Sequence, residues 1–362
     1  MKKSSRRTRP VEWKEKPAIT VGMDLGDRFC HYCVLNKDGE VMEEGRIPTN
    51  EAAMRRQFEG EPRQRIAMEC GTHSPWISRV LKQLGHQVMV ANARKLRAIS
   101  ENESKNDGVD AEMLARLAYS DPRLLSPIQH RSVERQRDLN LIRARDTLVR
   151  ARTMLINAVR GLVKSAGGRL PKCSTDSFAV QVVPSLPAEL KPATAPLLEQ
   201  IAALTIQIRH LDQAIEKLAE RYPEIRILRT APGVGPVIAA AYVLTLDHAD
   251  AVHSSRAAGA FLGLRPKQGQ SGDSDPQLRI TKTGNIYLRK LLVQAAHYVL
   301  GRFGPDSALR RWGLKLAAAG GKRGKKRALV AVARKLAVIL HCLWRSGQSY
   351  QAFPQPSAAA VA

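Results

Sequence analysis

The chain has 362 residues, room for two or three domains of about 100–150 residues each. Lys and Arg total 58 against 33 Asp and Glu, a formal charge of +25. That excess excludes an ordinary neutral metabolic enzyme as the first reading and points to a polyanion, above all nucleic acid. A hydrophobic content of 44% excludes a disordered basic tail protein.

No apolar run suits a bilayer, which needs about 20 uninterrupted residues. The best candidates, 231–246 and 328–344, are broken by Pro232, Gly233, Gly235 and Pro236, and by Arg334 and Lys335. The start, MKKSSRRTRP, is basic but leads into VEWKEKP rather than an apolar signal core, so a cytoplasmic protein is expected. Cysteines stand scattered at 30, 33, 70, 173 and 342, which suits a reducing compartment. Cys30 and Cys33 form a C-x-x-C inside a strand-like run. A spacing of three there turns the side chains to opposite faces, which argues against zinc.

Residues 1–17 read as a flexible basic arm. AITVGMDLG (18–26) reads as a buried strand, and FCHYCVLN (29–36) alternates loosely. A turn at Lys37-Asp38-Gly39 leads into EVMEEGRI, completing a three-strand meander. A helix follows at 51–59, then a strand at 63–70. PWISRVLKQLG (75–85) has apolar residues at 77, 80, 81 and 84, a helical spacing stopped by Gly85. QVMVAN (87–92) is a strand and DAEMLARLAYS (110–120) a helix. The order βββαβαβα predicts an α/β domain over 18–127, a mixed sheet with helices on its faces.

Composition shifts after Pro127. The stretch 130–164 is helical, free of proline, and carries nine Lys/Arg against three acids. A Gly/Pro/Ser-rich break spans 166–196. A second amphipathic helix is predicted over 197–221, so 128–222 reads as a helical hairpin or coiled coil. A mostly α-helical C-terminal domain is expected over 223–346, with helices at 286–300 and 327–346 and a tail at 347–362. No acid follows Asp306, and 310–327 alone holds eight Lys/Arg.

Three groups of residues could carry chemistry. The first is acidic. Asp24 interrupts an apolar strand, where a carboxylate is costly without a cation. Glu69 ends the strand IAMEC. Asp107 and Asp110, three apart at a helix start, project from one face; taken alone, Asp107 could simply be an N-cap. Four carboxylates brought together repel unless a divalent cation sits among them. Oxygen ligands favour Mg²⁺ or Mn²⁺, and two such ions are the usual arrangement for phosphodiester chemistry. A strand Asp, a meander, a second acid on the fourth strand and a helical acid pair is the RNase H-like, RuvC-like layout.

The second group is PGVGP (232–236) between apolar segments, which resembles a helix-hairpin-helix. Gly233 and Gly235 would offer backbone N–H groups to a phosphate, or the turn would only pack. The third is KQGQSGDSD (267–275). Ser271 lies in a segment too small and polar for a core, with Arg265, Lys267, Arg279, Lys282 and Arg289 around it. Cations stabilise a pentavalent phosphate transition state; a solvated loop is the plain alternative. Lys322, Arg323, Lys325, Lys326 and Arg327 form a further basic cluster suited to nucleic acid.

Asp24, Glu69, Asp107 and Asp110, then a basic helical middle, then PGVGP, FLGLRP, QSG and ITKTGN resemble one family over about 18–345. It is the DEDD transposase (recombinase) family of the insertion-sequence-110/1111 group. The resemblance implies a RuvC-like domain binding divalent metal through the four acids, and a C-terminal transposase domain supplying Ser271 as nucleophile. It also implies dimers pairing into tetramers, with composite sites, and a structured non-coding bridge RNA that pairs with donor and target DNA. Specificity by base pairing follows the logic of other RNA-guided systems. Ser274, Thr281 and Thr283 are the fallback hydroxyls. Two other readings of the same residues remain open. One is a two-metal nuclease of the Holliday-junction type using water, and the other a non-enzymatic DNA-binding protein. An actin-like ATPase, which DLG alone would suit, lacks its phosphate and adenosine loops here.

Overall fold

A computed structural model of the chain describes residues 17–92, 106–271, 274, 276 and 278–354. The expected arm, apart from Pro17, and the end of the tail at 355–362 lie outside the described residues, as does the side chain of Lys322. The chain divides into two compact units at His130/Arg131.

The first unit is a five-stranded sheet with helices on both faces. The strands are β1 (Thr20–Leu25), β2 (Phe29–Leu35), β3 (Val41–Pro48), β4 (Arg65–Glu69) and β5 (Gln87–Ala91), in the spatial order β3-β2-β1-β4-β5. The meander β1–β2–β3 is antiparallel, while β4 runs parallel to β1 and β5 parallel to β4. Three helices accompany it: α1 (Glu51–Phe58), α2 (Ser74–Gln83) and α3 (Asp107–Ser120). This is the predicted element order and the predicted mixed sheet.

Period-two alternation sorts the strand residues between two cores. Val21, Met23, Cys30, Tyr32, Ile66, Met68, Val88 and Val90 pack with Met54 and Phe58 of α1 and Ile77, Val80 and Leu81 of α2. The opposite face carries Cys33, Leu35, Ala67, Met89 and Ala91, covered by Ala111, Leu114, Ala115 and Ala118 of α3. Cys30 and Cys33 thus fall on opposite faces, as their spacing requires. Arg65 is buried on the α3 face, donating to Gln87 Oε1 at 2.7 Å and to the Ala118 carbonyl at 3.1 Å.

The second unit is helical. Its first two helices are α4 (Val133–Ser165) and α5 (Lys191–Arg221). They run antiparallel. Arg145 pairs with Asp212, and Arg152, itself buried, reaches Thr205 at 3.1 Å and Asp176 at 2.7 Å. Beyond that polar girdle, Ile156, Val159, Val163, Leu198 and Ile201 enclose a small core with Phe178, Val182 and Leu186 of the connecting segment. At the other end Leu139, Ile142, Ile215 and Leu218 join the main core. That core is built with α6 (Pro223–Leu228), α7 (Pro236–Leu246), α8 (Ser255–Phe261), α9 (Ile286–Leu300), α10 (Ala308–Ala319) and α11 (Gly324–Ser346).

Three details differ from expectation. Helix α5 begins at Lys191, six residues before the predicted start; Pro192 falls at its beginning, where a missing N–H costs nothing, and Pro196 only one turn in. Helix α10 was not expected in the basic run 310–327. Ser307 caps it by accepting from Arg310 N, and its Gly313 lets it close on Val332 and Leu300. Helix α11 begins at Gly324 rather than 327. Among the described residues no helix is long and apolar enough to cross a membrane.

Candidate functional site

The α3 face of the sheet ends in polar residues. Continuing the alternation, Asp24 on β1, His31 on β2 and Glu69 on β4 follow the small residues of that face toward the carboxyl ends of β1 and β4. Ligand sites of open α/β sheets form at such ends, where the chain order reverses. Asp24 sits directly opposite His31 in the β1–β2 register, and Glu69 lies one residue past the Met23–Met68 pair.

Helix α3 brings the remaining acids. It can approach because Gly22, two residues before Asp24, has no side chain. A Cβ there would stand 2.0 Å from the Ala111 carbonyl oxygen and 2.4 Å from the Ala115 nitrogen. The N-cap is Asn106, whose side chain accepts from Gly108 N at 3.1 Å. Asp107 is therefore the first helical residue and not the cap. Its carboxylate is exposed and meets His31 Nδ1 at 3.4 Å.

One ligand atom each from Asp24, His31 and Asp107 all lie within 4.8 Å of one another. Asp110 adds its charge to Asp24 from the next turn of α3. Glu69 stands half-buried on the neighbouring strand, outside that closest set. Burial, first, and then Asp107 and Asp110 push the Asp24 carboxyl above its ordinary 3.8, opposed by the Leu25 N–H and by His31. Among the described residues no Lys or Arg pairs with Asp24 or Asp107. The donor set fits a divalent cation: carboxylate oxygens that repel one another, and His31 Nδ1, shielded from water with no hydrogen-bond partner among the described residues. Sequence reasoning missed His31. The β1–β2 register was the signal that could have found it.

In the second unit the loop around Ser271 is a hairpin arm. Lys267 N donates to the Arg279 carbonyl and Thr281 N to the Arg265 carbonyl, both at 2.9 Å. Near the far end, Ser271 and Ser274 exchange backbone N–H···O bonds of 3.1 Å, and both are exposed. The base of the arm is locked. Gly263 and Gly284, both at positive φ, let two backbone segments touch; a Cβ on either would come 2.1 Å from the Thr283 or Phe261 carbonyl oxygen. Arg289 clamps this base, one guanidinium nitrogen donating to the Leu262 and Thr283 carbonyls at 2.9 Å each. The FLGLRP and TKTGN segments are thus the two legs of the arm that carries Ser271. Thr281 and Thr283, the further fallback hydroxyls, contact each other at 3.2 Å.

Arg265 and Lys267 are exposed and line an open cavity of about 460 Å³ with Gln268, Gln270 and Arg334 of α11. Arg334, 63 residues past Ser271 in the chain, is the second residue that sequence reasoning missed. Arg279 and Lys282 are exposed, Lys282 at a φ of +56°. Arg323, Lys325, Lys326 and Arg327 are exposed at the start of α11. Cations at a helix N-terminus oppose its dipole, so their concentration there is unfavourable without a bound anion. The PGVGP turn joins α6 to α7. Gly233 packs on Ala295 and Tyr298 of α9, whereas among the described residues nothing lies within 4 Å of a Cβ at Gly235.

The family model described as a transposase, DEDD type of IS110, matches residues 21–167. A second, described as the transposase IS116/IS110/IS902 family, matches 225–311. A Sinorhizobium fredii protein named as a transposase, y4pF/y4sB, is 30% identical over 340 residues, covering 92% of this chain and 86% of that protein. The transposase for insertion sequence element IS1111A of Coxiella burnetii is 28% identical, covering 79% of each chain. That for IS1328 of Yersinia enterocolitica is 29% identical, covering 82% of this chain and 89% of its own. With both blocks matched in order and the relatives aligned across most of its length, this chain belongs to the IS110 family of insertion-sequence transposases.

Proposed function

We propose that this transposase cuts and rejoins DNA strands using Asp24, Glu69, Asp107 and Asp110 as a divalent-metal site and Ser271 as the nucleophile. One observation carries the reading: a half-buried strand carboxylate is held against the acids of α3 with no Lys or Arg beside it among the described residues. Carboxyl groups shifted by burial and by neighbouring like charges cluster at functional sites. On this reading the mixed sheet and its acids correspond to an RNase H-like, RuvC-like plan.

When bound, Mg²⁺ or Mn²⁺, as two ions, would supply charge to the phosphate and lower the pKa of a coordinated hydroxyl. The protein's own residues do the rest. Asp24, with Asp107 and Asp110, holds the anionic centre in place on a rigid sheet and helix. Ser271 Oγ attacks the phosphorus of a DNA phosphodiester; the Oγ–P bond forms and the P–O3′ bond breaks. The serine proton is balanced by the proton gained by the departing 3′-hydroxyl. The phosphoserine conserves the bond energy, and the reverse step with another 3′-hydroxyl completes exchange without ATP. Arg265, Lys267 and Arg279 flank the serine and would hold the phosphate.

Donor and target DNA are the substrates. A non-coding bridge RNA as guide and a homodimer assembling to a tetramer follow from the family reading, as does action at the nucleoid in the cytoplasm. The charge of +25 suits the neutralisation that an RNA and two duplexes demand. The test is a denaturing gel of reactions with labelled DNA. Wild-type protein should leave a covalent protein–DNA adduct. Ser271→Ala should leave neither adduct nor cut, while still binding nucleic acid. Cleavage by Ser271→Ala at the normal rate would remove the serine from the mechanism and favour a water-using nuclease.

A further inference from the structure

We infer that His31 is itself a ligand of the divalent cation, giving the centre one nitrogen donor beside its carboxylates. The inference rests on the reading that the acids bind metal, and it adds a residue that the four-acid pattern does not contain.

Four observations support it. His31 is the cross-strand partner of Asp24, and directly opposed residues on antiparallel strands bring their side chains together on one face. A ring nitrogen of His31 belongs to the donor set found among the described residues, within 4.8 Å of an oxygen of Asp24 and one of Asp107. The 3.4 Å from Nδ1 to Asp107 Oδ2 is close to the spacing that neighbouring ligands of one ion need, about 3 Å for ligand distances of about 2.0–2.1 Å. Finally, Nδ1 is shielded from solvent and makes no hydrogen bond among the described residues. A buried imidazole nitrogen without a partner is costly, and a cation is the partner that the two flanking carboxylates would also attract.

The other contributions to the region do not supply that partner. Cys30 and Tyr32, the neighbours of His31 along β2, point to the opposite face. Cys33, two residues on, packs against Ala111 and Ala115 of α3. Arg46 stands opposite His31 on β3, and its guanidinium lies over the Phe29 ring at 4.8 Å. Among the described residues, the carboxylates of Asp24 and Asp107 are thus the polar groups placed at His31.

The chemical consequence is selectivity. An oxygen-only centre treats Mg²⁺ and Mn²⁺ alike in donor type, whereas an imidazole nitrogen suits a transition-metal ion better than the harder Mg²⁺. The centre should prefer Mn²⁺ to Mg²⁺ more strongly than four carboxylates alone would, and His31 should be the residue responsible.

The test uses the full-length protein with Mn²⁺ as probe. Pulsed electron paramagnetic resonance should show nitrogen hyperfine coupling to bound Mn²⁺, absent in His31→Ala and in His31→Gln. Mn²⁺ affinity should fall in both variants by at least the about 10–100-fold seen on removal of an outer-shell partner, with a smaller fall for Mg²⁺. His31→Gln keeps a polar side chain of similar reach and guards against a folding defect in the alanine variant. Asp24→Asn separates the two ideas. If it abolishes Mn²⁺ binding while the wild type shows no nitrogen coupling, or while coupling survives in His31→Gln, the acid centre stands and the histidine ligand is wrong. If Asp24→Asn binds Mn²⁺ as the wild type does, or the wild type binds none, the acid centre itself falls and His31 with it.

Discussion

Gly22→Ala tests the packing that assembles the acidic centre. The new Cβ would lie 2.0 Å from the Ala111 carbonyl oxygen and 2.4 Å from the Ala115 nitrogen, both backbone atoms of α3. Carbon–oxygen contacts settle no closer than about 3.3 Å, so helix and strand must separate by about 1.3 Å. No flexible side chain can yield instead. Overpacking of this kind costs about 1–3 kcal/mol. The second effect is specific to the site. Asp107 and Asp110 ride on α3, so the shift carries them from Asp24, and a misplacement of about 1 Å can lower a rate by about 10²-fold. The assay pairs denaturant melts with Mn²⁺ titration and DNA cleavage. Leu114→Ala is the control: it removes a fully buried side chain of the same helix, at about 2–5 kcal/mol, without driving the helix outward. Gly22→Ala should lose Mn²⁺ affinity while Leu114→Ala, when folded, keeps it. Gly22→Ala with wild-type stability and Mn²⁺ affinity would refute the argument that this glycine sets the distance between acids.

Two further predictions concern charge. The Asp24 carboxyl is raised above 3.8 in the folded protein, so the stability it contributes is complete below that value and lost as pH rises through the raised one. In metal-free protein at neutral pH, Asp24→Asn should therefore melt above the wild type, the difference closing below the ordinary carboxylate range; a lower melting point in chelator would sink the repulsion argument. Because cations bind the ionised form, Mn²⁺ affinity of the wild type should begin to fall at a higher pH than an unperturbed Asp would dictate. At the start of α11, combined replacement of Lys325, Lys326 and Arg327 by Ala should weaken DNA binding uniformly across sequences. It should flatten the log–log salt slope by about one for each phosphate that is no longer neutralised, read by filter binding over a salt series; an unchanged slope would place the nucleic acid elsewhere.

Much of the first unit was legible because its signals are local. Alternation placed the strands, Gly85 marked the end of α2 within two residues, and a carboxylate within VGMDLG had no packing explanation. In the second unit α10 escaped because its twelve residues hold no acid and close on a Gly-Gly pair, so charge hid a helical period that Leu309 and Gly313 satisfy only by touching distant residues. The start of α5 escaped because two prolines read as a break, whereas Pro192 falls at the helix beginning and Pro196 is carried inside the helix at the loss of one N–H bond. The arm around Ser271 looked like a solvated loop, since its pairing is backbone to backbone and its glycines are explained only by the segment each one touches.

The candidate centre shows the same division more sharply. Asp24 announces itself because burying a carboxylate is costly wherever the chain goes. Its companions have no such local cost: Asp107 is exposed, Glu69 ends a strand, and His31 sits in an alternating run inside a C-x-x-C that draws attention to sulfur. What joins Asp24 to His31 is a register that follows from the short turn through Gly26, Asp27 and Arg28, and a one-residue slip would have sent His31 to the other face. What joins both to Asp107 is the absence of a single methyl group at Gly22. Residues of a site that are individually cheap to place can be recognised only through the packing that brings them together, which is why the strand acid is readable from sequence and the nitrogen beside it is not.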